Sequence, residues 1–242
     1  MRRIKLTIAY DGTGYFGWQV QAQEPTIQGI LERTISMILD EKISVIGSGR
    51  TDTGVHALGQ VAHFDTTSKM DIDKILKAIN HKLPPSIVVR DIEEVDPSFH
   101  ARFSAKSRIY RYFITKVNLP FFTRYSWFIE KSLDIDAMKA LGDIFVGEHD
   151  FGAFGSPMKE EGSTVRKVFS FRVRDRSHYV MIEVEANAFL RKMVRNMVGA
   201  AVAVATGRLN LKQIEEMLNS GERTYHYKTA PPHGLFLWKV VY

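Results

Sequence analysis

In the run Gly47-Ser48-Gly49-Arg50-Thr51-Asp52-Thr53-Gly54-Val55-His56-Ala57, an arginine and an aspartate stand two residues apart among glycines. A guanidinium favours the ionised form of a neighbouring carboxylate, and the spacing presents the two groups together. Glycine lets the backbone turn where other residues resist, and lets another molecule approach closely. An ionised carboxylate in a rigid loop can act as a nucleophile or base. The same run could also be an ordinary surface turn in which Asp52 bonds its own backbone. The loop alone does not separate the two.

Other residues extend the chemistry. Arg191, Lys192 and Arg195 fall on one side of an expected helix, and Val198, Gly199 and Val202 continue that side. The stripe turns from basic to apolar at Arg195, and a guanidinium at such a boundary needs an anionic partner. Asp52, another carboxylate or a phosphate would serve. Arg108, Tyr110 and Tyr112 share one face of an expected strand. A tyrosine there can stack on a base or donate its hydroxyl, or can simply pair with a ring across the sheet.

Between Pro97 and Ile129 lie Arg102, Lys106, Arg108, Arg111, Lys116 and Arg124, with no Asp or Glu, interleaved with aromatic residues. Cations for phosphates and rings for bases suit an RNA surface, although Phe113 reads as core. Gly12-Thr13-Gly14-Tyr15-Phe16-Gly17 has the spacing of a dinucleotide loop, but Trp18, Gln19 and Pro25 intervene before any helix. A turn carrying aromatic side chains toward the site fits better. The histidines show no H-E-x-x-H, and His56, His63, His100 and His149 fall in different elements, so metal-free chemistry is expected. His63, on its strand, either contacts substrate or satisfies a core polar group.

The chain of 242 residues has no cysteine, which excludes disulfides, thiolate catalysis and cysteine metal sites. A net charge of +6 points toward a polyanionic partner. No signal-like segment and no long apolar run is present, so a cytoplasmic protein with no membrane partner is expected.

The elements that must position these residues read as strand, helix, strand, strand, helix, strand. Ile4, Leu6 and Ile8 alternate with polar neighbours. Residues 26–39 and 71–83 carry helical apolar spacing, and strands are expected over 42–46, 60–65 and 87–95. The second half repeats the order: a strand over 107–115, a helix over 136–146 and a hairpin of 165–174 with 179–187. A long helix over 189–206, a shorter one over 211–218 and a last strand over 235–241 complete it. The expected fold is α+β, with two ferredoxin-like (RRM-like) halves, 1–100 and 101–242. Their mainly antiparallel sheets join side by side, helices on the outer faces, with the first half carrying the Asp52 loop. No further domain is expected after the last strand.

Taken together, the residues resemble the tRNA pseudouridine synthase A family. The resemblance is carried by Tyr10-Asp11-Gly12, Gly17-Trp18-Gln19, the Gly49 to Ala57 run, Gly59-Gln60-Val61 and His63-Phe64. It continues through Phe99-His100-Ala101-Arg102-Phe103-Ser104-Ala105, Tyr110-Arg111-Tyr112, Ala186-Asn187-Ala188-Phe189, the Met193 to Gly199 run and Gly234-Leu235. Thr53 departs from an alanine common in the family, a change expected to be harmless. The resemblance implies isomerisation of uridine to pseudouridine at positions 38, 39 and 40 of the tRNA anticodon stem-loop. It implies no cofactor or metal, a homodimer with tRNA lying across both subunits, and an active-site cleft between the halves. Asp52 would be the essential carboxylate and Arg50 the residue that helps displace the target base. Tyr110 would stack on the uracil, Arg195 pair with Asp52, and Leu235 line the pocket. The reaction is redox-neutral and needs one carboxylate, which could attack the ribose, add to the base or abstract a ribose proton. Flipping a stem uridine out costs a few kcal/mol, which the basic and aromatic residues from Arg102 to Tyr112 could offset. The alternative is a non-catalytic RNA-binding protein with two RRM-like sheets, against which stands the absence of the usual K/R-G-F/Y-G/A-F motif.

Overall fold

The computed structural model describes residues 1–157 and 162–242. The first unit is built on β1 (Arg2–Tyr10), α1 (Ile27–Leu39), β2 (Ile46–Gly47), β3 (His56–Thr66), α2 (Ile72–Lys82) and β4 (Ile87–Val95). β1 lies between β3 and β4 and is antiparallel to both, with Leu6 opposite Ala62 on one side and Ile92 on the other. The period-two pattern of β1 sends Ile4, Leu6 and Ile8 into the core with no exposure. Ile27, Leu31 and Ile35 of α1 and Ile75 and Ile79 of α2 are equally buried, each contributing about 2 kcal/mol of apolar burial. Thr26 caps α1 by accepting from the Gly29 amide, and Asp71 caps α2 through the Asp73 and Lys74 amides.

The strand expected over 42–46 contracts to Ile46–Gly47. Side chains of α1 take the backbone groups that a ladder would have used. Glu32 accepts from Val45 N at 2.9 Å, the Gln28 amide donates to Val45 O at 2.9 Å, and Ser36 Oγ accepts from Ile43 N at 3.0 Å. β3 starts at His56, earlier than expected, so the Asp52 loop runs straight into a central strand.

The second unit contains β5 (Ser107–Thr115), α3 (Pro120–Thr123), β6 (Trp127–Phe128), α4 (Ile135–Phe145), β7 (Gly147–Asp150), β8 (Val165–Asp175), β9 (Tyr179–Ala186), α5 (Met193–Ala205) and α6 (Leu211–Ser220). β5, β9, β8 and β7 pair antiparallel in that order. Phe145 packs its ring 5.0 Å from Phe154 and 5.7 Å from Phe171. The expected helix over 189–206 begins only at Met193, because Lys192 has φ +63°, a left-handed backbone that no α-helix continues through. Arg191 and Lys192 therefore precede α5 and share no helical side with Arg195.

The last strand, β10 (Leu235–Val241), pairs parallel with β3, Phe236 opposite His56 and Leu237 opposite Ala57. The compact units are accordingly Met1–Lys106 with Phe236–Tyr242, and Ser107–Leu235. The division expected at 100/101 falls at 106/107, and the terminal strand belongs to the first unit. The second unit is thus not a complete repeat of the first. Each is α+β with a mostly antiparallel sheet. Among the described residues no helix is long and apolar enough to cross a membrane.

Candidate active site

The loop that carries Asp52 is clamped from several directions within the first unit. Ser48 N donates to Val61 O at 2.7 Å, Ser48 Oγ to Gln60 Oε1 at 2.8 Å, and Gln60 Nε2 to Gly49 O at 2.9 Å. Thr51 is held twice: its hydroxyl shares a 2.8 Å bond with Tyr10, and its carbonyl accepts from Trp18 N at 3.1 Å. Burial pushes the Tyr10 phenol well above its ordinary pKa, so it remains neutral at this contact. Val55 N donates to Asp52 O at 3.1 Å and closes the turn, and Gly54 has φ +74°.

Close approach explains the glycines around the loop. A Cβ on Gly47 would meet the Trp18 indole at 2.7 Å, and one on Gly12 would meet Val55 O at 2.1 Å. Gly17 combines φ +80° with a Cβ position 2.5 Å from Thr51 O. The 12–18 turn, expected to carry aromatic side chains toward the site, thus packs as a brace behind it, with Trp18 buried. Sequence reasoning missed this role for Tyr10 and Trp18. The available signal was a Gly-Trp pair after a glycine turn, which marks close packing rather than chemistry. His56 is also buried in the brace: its Nδ1 accepts from Gly12 N at 3.0 Å, and its ring stacks 4.7 Å from Phe236. The Asp52 residue itself is half-buried. Arg50 is exposed and makes no hydrogen bond or ion pair with the described residues.

His63 is buried, and its Nδ1 accepts from Ala101 N at 3.2 Å. Burial first, then the Arg3 and His100 charges, push its pKa down to about 4, so it is neutral near pH 7. The His100 Nδ1 in turn accepts from Arg102 N at 3.1 Å and Phe103 N at 3.2 Å. The two imidazoles shape a turn that displays Arg102 and an exposed Phe103, whose ring lies 5.6 Å from the Arg102 guanidinium.

In the second unit Arg195 is the one residue of α5 that is not buried. Its Nε donates to Ala230 O at 2.8 Å, and Ala230 N donates back to Arg195 O at 3.0 Å. This pair of hydrogen bonds ties residues 228–235 to the helix. Gly199 allows the approach, since a Cβ there would meet Lys228 O at 2.1 Å. Tyr112 donates to Pro231 O at 2.9 Å, and a Cβ on Gly234 would meet its ring at 2.6 Å. Leu235 ends this pinned segment and is buried. Tyr110 is buried on the same β5 face as Tyr112, its ring edge-on to Phe189 at 5.1 Å. Arg108 is buried as well, and its Nη1 donates to Asn187 O at 2.9 Å, beside β9.

The basic and aromatic stretch does not form one surface. Arg108, Tyr110 and Tyr112 are buried, Arg111 pairs with Glu183 at 2.6 Å, and Lys116 pairs with Asp175. Arg102, Lys106 and Arg124 remain exposed, as do Phe103, Phe121 and Phe122. Asp52, Arg50, His63 and Arg102 lie in the first unit; Arg108, Tyr110, Arg195 and Leu235 lie in the second. Among the described residues no group of three His, Asp or Glu side chains is placed to hold a metal ion.

A model of the tRNA pseudouridine synthase family matches residues 6–104 and 143–242. The matched ranges include Arg50, Asp52, His63, Arg102, Arg195 and Leu235, and leave Arg108 and Tyr110 between them. The tRNA pseudouridine synthase A of a Thermoanaerobacter species is 41% identical over 244 residues, covering 100% of both chains. Those of Brevibacillus brevis and Caldicellulosiruptor bescii are each 43% identical over 244 residues, again covering 100% of both chains.

Proposed function

We propose, for a chain that belongs to the tRNA pseudouridine synthase family, that the uridines it isomerises are 38, 39 and 40 of the tRNA anticodon stem-loop. The chain is an isomerase that converts uridine in tRNA to pseudouridine. The bond between uracil N1 and the ribose breaks, the base turns, C5 joins the ribose, C5 releases its proton and N1 gains one. No electron is gained or lost. In this reading Asp52 is the catalytic carboxylate and Arg50 helps displace the base. Tyr110 stacks on the uracil, Arg195 is the cation that pairs with Asp52, and Leu235 lines the pocket. His63 acts through the Ala101 turn, a positioning role for Arg102. Arg108 supports the strand below Tyr110. The enzyme works without a cofactor in the cytoplasm, as a homodimer with tRNA across both subunits.

The observation that carries the reading is the bracing of the Asp52 loop within a chain that matches the family over most of its length. A carboxylate that must meet one ribose in a flipped-out nucleotide needs a fixed backbone, because small misplacements are costly in rate. Tyr10, Trp18 and Gln60 supply that fixity, while the Arg50 side chain stays open to an incoming nucleotide.

The test is Asp52→Asn, assayed by tritium release from tRNA labelled at uracil C5, beside tRNA binding. Release should vanish while binding persists. A mutant that still releases tritium removes Asp52 from the chemistry, and a wild type that releases none supports the non-catalytic RNA-binding alternative. Mapping pseudouridine in tRNA from a strain lacking the protein checks the positions; unchanged 38, 39 and 40 would refute them.

A further inference from the structure

Of the 13 residues of α5, only Arg195 and Asn196 are polar. Both grip the same stretch of chain. Arg195 exchanges hydrogen bonds with Ala230, and Asn196, which is 6% exposed, holds the residues just before it. The Asn196 Oδ1 accepts from Thr229 Oγ1 at 2.7 Å and from Arg223 Nη1 at 3.2 Å, and its Nδ2 donates to Phe154 O at 2.7 Å. The Arg223 guanidinium can only donate and the Phe154 carbonyl only accept, which leaves the carboxamide one orientation. Arg223 Nη2 donates onward to Tyr227 O at 2.6 Å, and its guanidinium lies 4.0 Å from the Tyr227 ring centroid. Asn196 thus reaches Thr229 directly and Tyr227 through Arg223.

Stability alone does not call for an amide at this position. Apolar replacement of buried polar groups is often neutral or stabilising, and their best-attested use is to fix register. Residues 227–231 belong to no helix or strand, so no ladder sets their register. A slip of one residue would put Lys228 or Ala230, neither of which has a hydroxyl, opposite Asn196. It would also carry Ala230 O about 3.3 to 3.6 Å along the chain, out of hydrogen-bond reach of Arg195 Nε. That bond aims the guanidinium, whose donors move together as one rigid plane.

We infer that Asn196 is a positioning residue for the isomerisation. Through Thr229 and Arg223 it fixes where Ala230 O stands, and Ala230 O fixes the direction in which Arg195 presents its charge. The inference rests on the reading of Arg195 as the cation that pairs with Asp52. The two bonds accepted by Oδ1 do the aiming. The bond to Phe154 O ties α5 to the Gly152–Phe154 turn and belongs to the fold.

The test is tritium release measured across tRNA concentrations, which separates kcat from KM, beside urea unfolding of each variant. Thr229→Val removes one hydroxyl at nearly constant volume. It should fold, lower kcat about tenfold and leave the KM for tRNA within about twofold, because small misplacements are costly in rate but not in binding. Asn196→Ala should lower kcat further and also lower the urea midpoint. Asn196→Asp keeps the acceptor for Thr229 and Arg223 and loses the donor to Phe154 O, so its kcat should stand within about threefold of wild type. A residue that served the fold alone would give the opposite order, with Thr229→Val at the wild-type rate and the Asp variant as slow as the Ala variant. Either of those results would overturn the inference, as would a loss confined to KM. If Asn196→Ala does not fold, Thr229→Val and Asn196→Asp decide. Arg195→Met reads the premise separately. A wild-type rate in that variant would sink the role given to Arg195, whereas a slow Arg195→Met beside an unimpaired Thr229→Val would sink only the role of Asn196.

Discussion

The Asp52 loop and residues 228–235 are both irregular backbone pressed against regular elements through glycines, but different groups hold them. Around Asp52 the grip comes largely from side chains: the Trp18 indole over Gly47, the Tyr10 hydroxyl on Thr51 and the Gln60 amide on Gly49 O. Around 228–235 side-chain bonds with Arg195, Tyr112 and Asn196 are joined by a main-chain grip on a helix, with Ala230 N on Arg195 O and Lys228 O pressed to Gly199. Side-chain grips are separable, so one part of the loop can stay open while the rest is fixed. A main-chain grip on a buried helix moves only with the helix. The carboxylate therefore sits on a braced loop with an open tip, and the guanidinium on a rigid element that has no slack.

That contrast breaks most visibly at Gly199. A Cβ there would lie 2.1 Å from Lys228 O, inside a helix whose neighbours are all buried. Gly199→Ala should cost about 3 kcal/mol or more, read from urea unfolding. Gly12→Ala faces the same 2.1 Å clash with Val55 O, but outside a helix, where the contacts around it are separable side-chain ones, and should cost less. Equal losses would erase the distinction between the two grips.

Acid tests the side-chain grip in the neighbouring 99–103 turn. The His63 pKa lies at about 4, below the unfolded value near 6.5. The unfolded state therefore binds the extra proton first, and stability falls as pH drops from about 6.5 to about 4. The loss should reach about 3 kcal/mol, with His233, half-buried and shifted in the same direction, adding a smaller share. Unfolding midpoints at neutral and acid pH check this, and His63→Gln should flatten the dependence. An equal slope in that variant would place the acid lability elsewhere.

Arg195→Met removes the bond to Ala230 O but leaves the main-chain bond from Ala230 N. It should cost about 2 kcal/mol, less than Gly199→Ala, because only the side-chain part of the grip is lost. A loss as large as that of Gly199→Ala would mean that the guanidinium, and not the backbone, holds 228–235.

Much of this was legible in residue order where alternation alone decides: the strands Ile87–Val95, Ser107–Thr115 and Leu235–Val241 match their expected bounds. What was hidden depended on distant partners. Residues 42–46 alternate well enough for a strand, but Glu32 and Gln28 take their polar groups. The pairing of β10 with β3 sets Phe236 opposite His56, residues far apart in the chain, and no local pattern reports it. Asp52 could be read as chemistry from an arginine and an aspartate among glycines, yet Tyr10, which fixes Thr51, is 41 residues away. Arg108 shows the converse: its type and face suggested RNA, whereas its Nη1 is occupied by the Asn187 carbonyl.

The smallest expected change in stability is at Gly49, and it probes the open part of the loop. A Cβ there meets no atom within 4 Å, and its φ lies outside the left-handed region. Gly49→Ala should therefore shift stability by less than about 0.5 kcal/mol, against several for Gly199→Ala. Glycine at such a position is not required by the fold of the loop. If it is required at all, the reason is a molecule that approaches beside Arg50. Gly49→Ala should then fold normally, keep its urea midpoint and isomerise uridine more slowly with a raised KM for tRNA. Unchanged kcat and KM would show that the tip has room to spare, and the approach of the nucleotide would have to be sought on the Arg50 and Thr53 side of the loop.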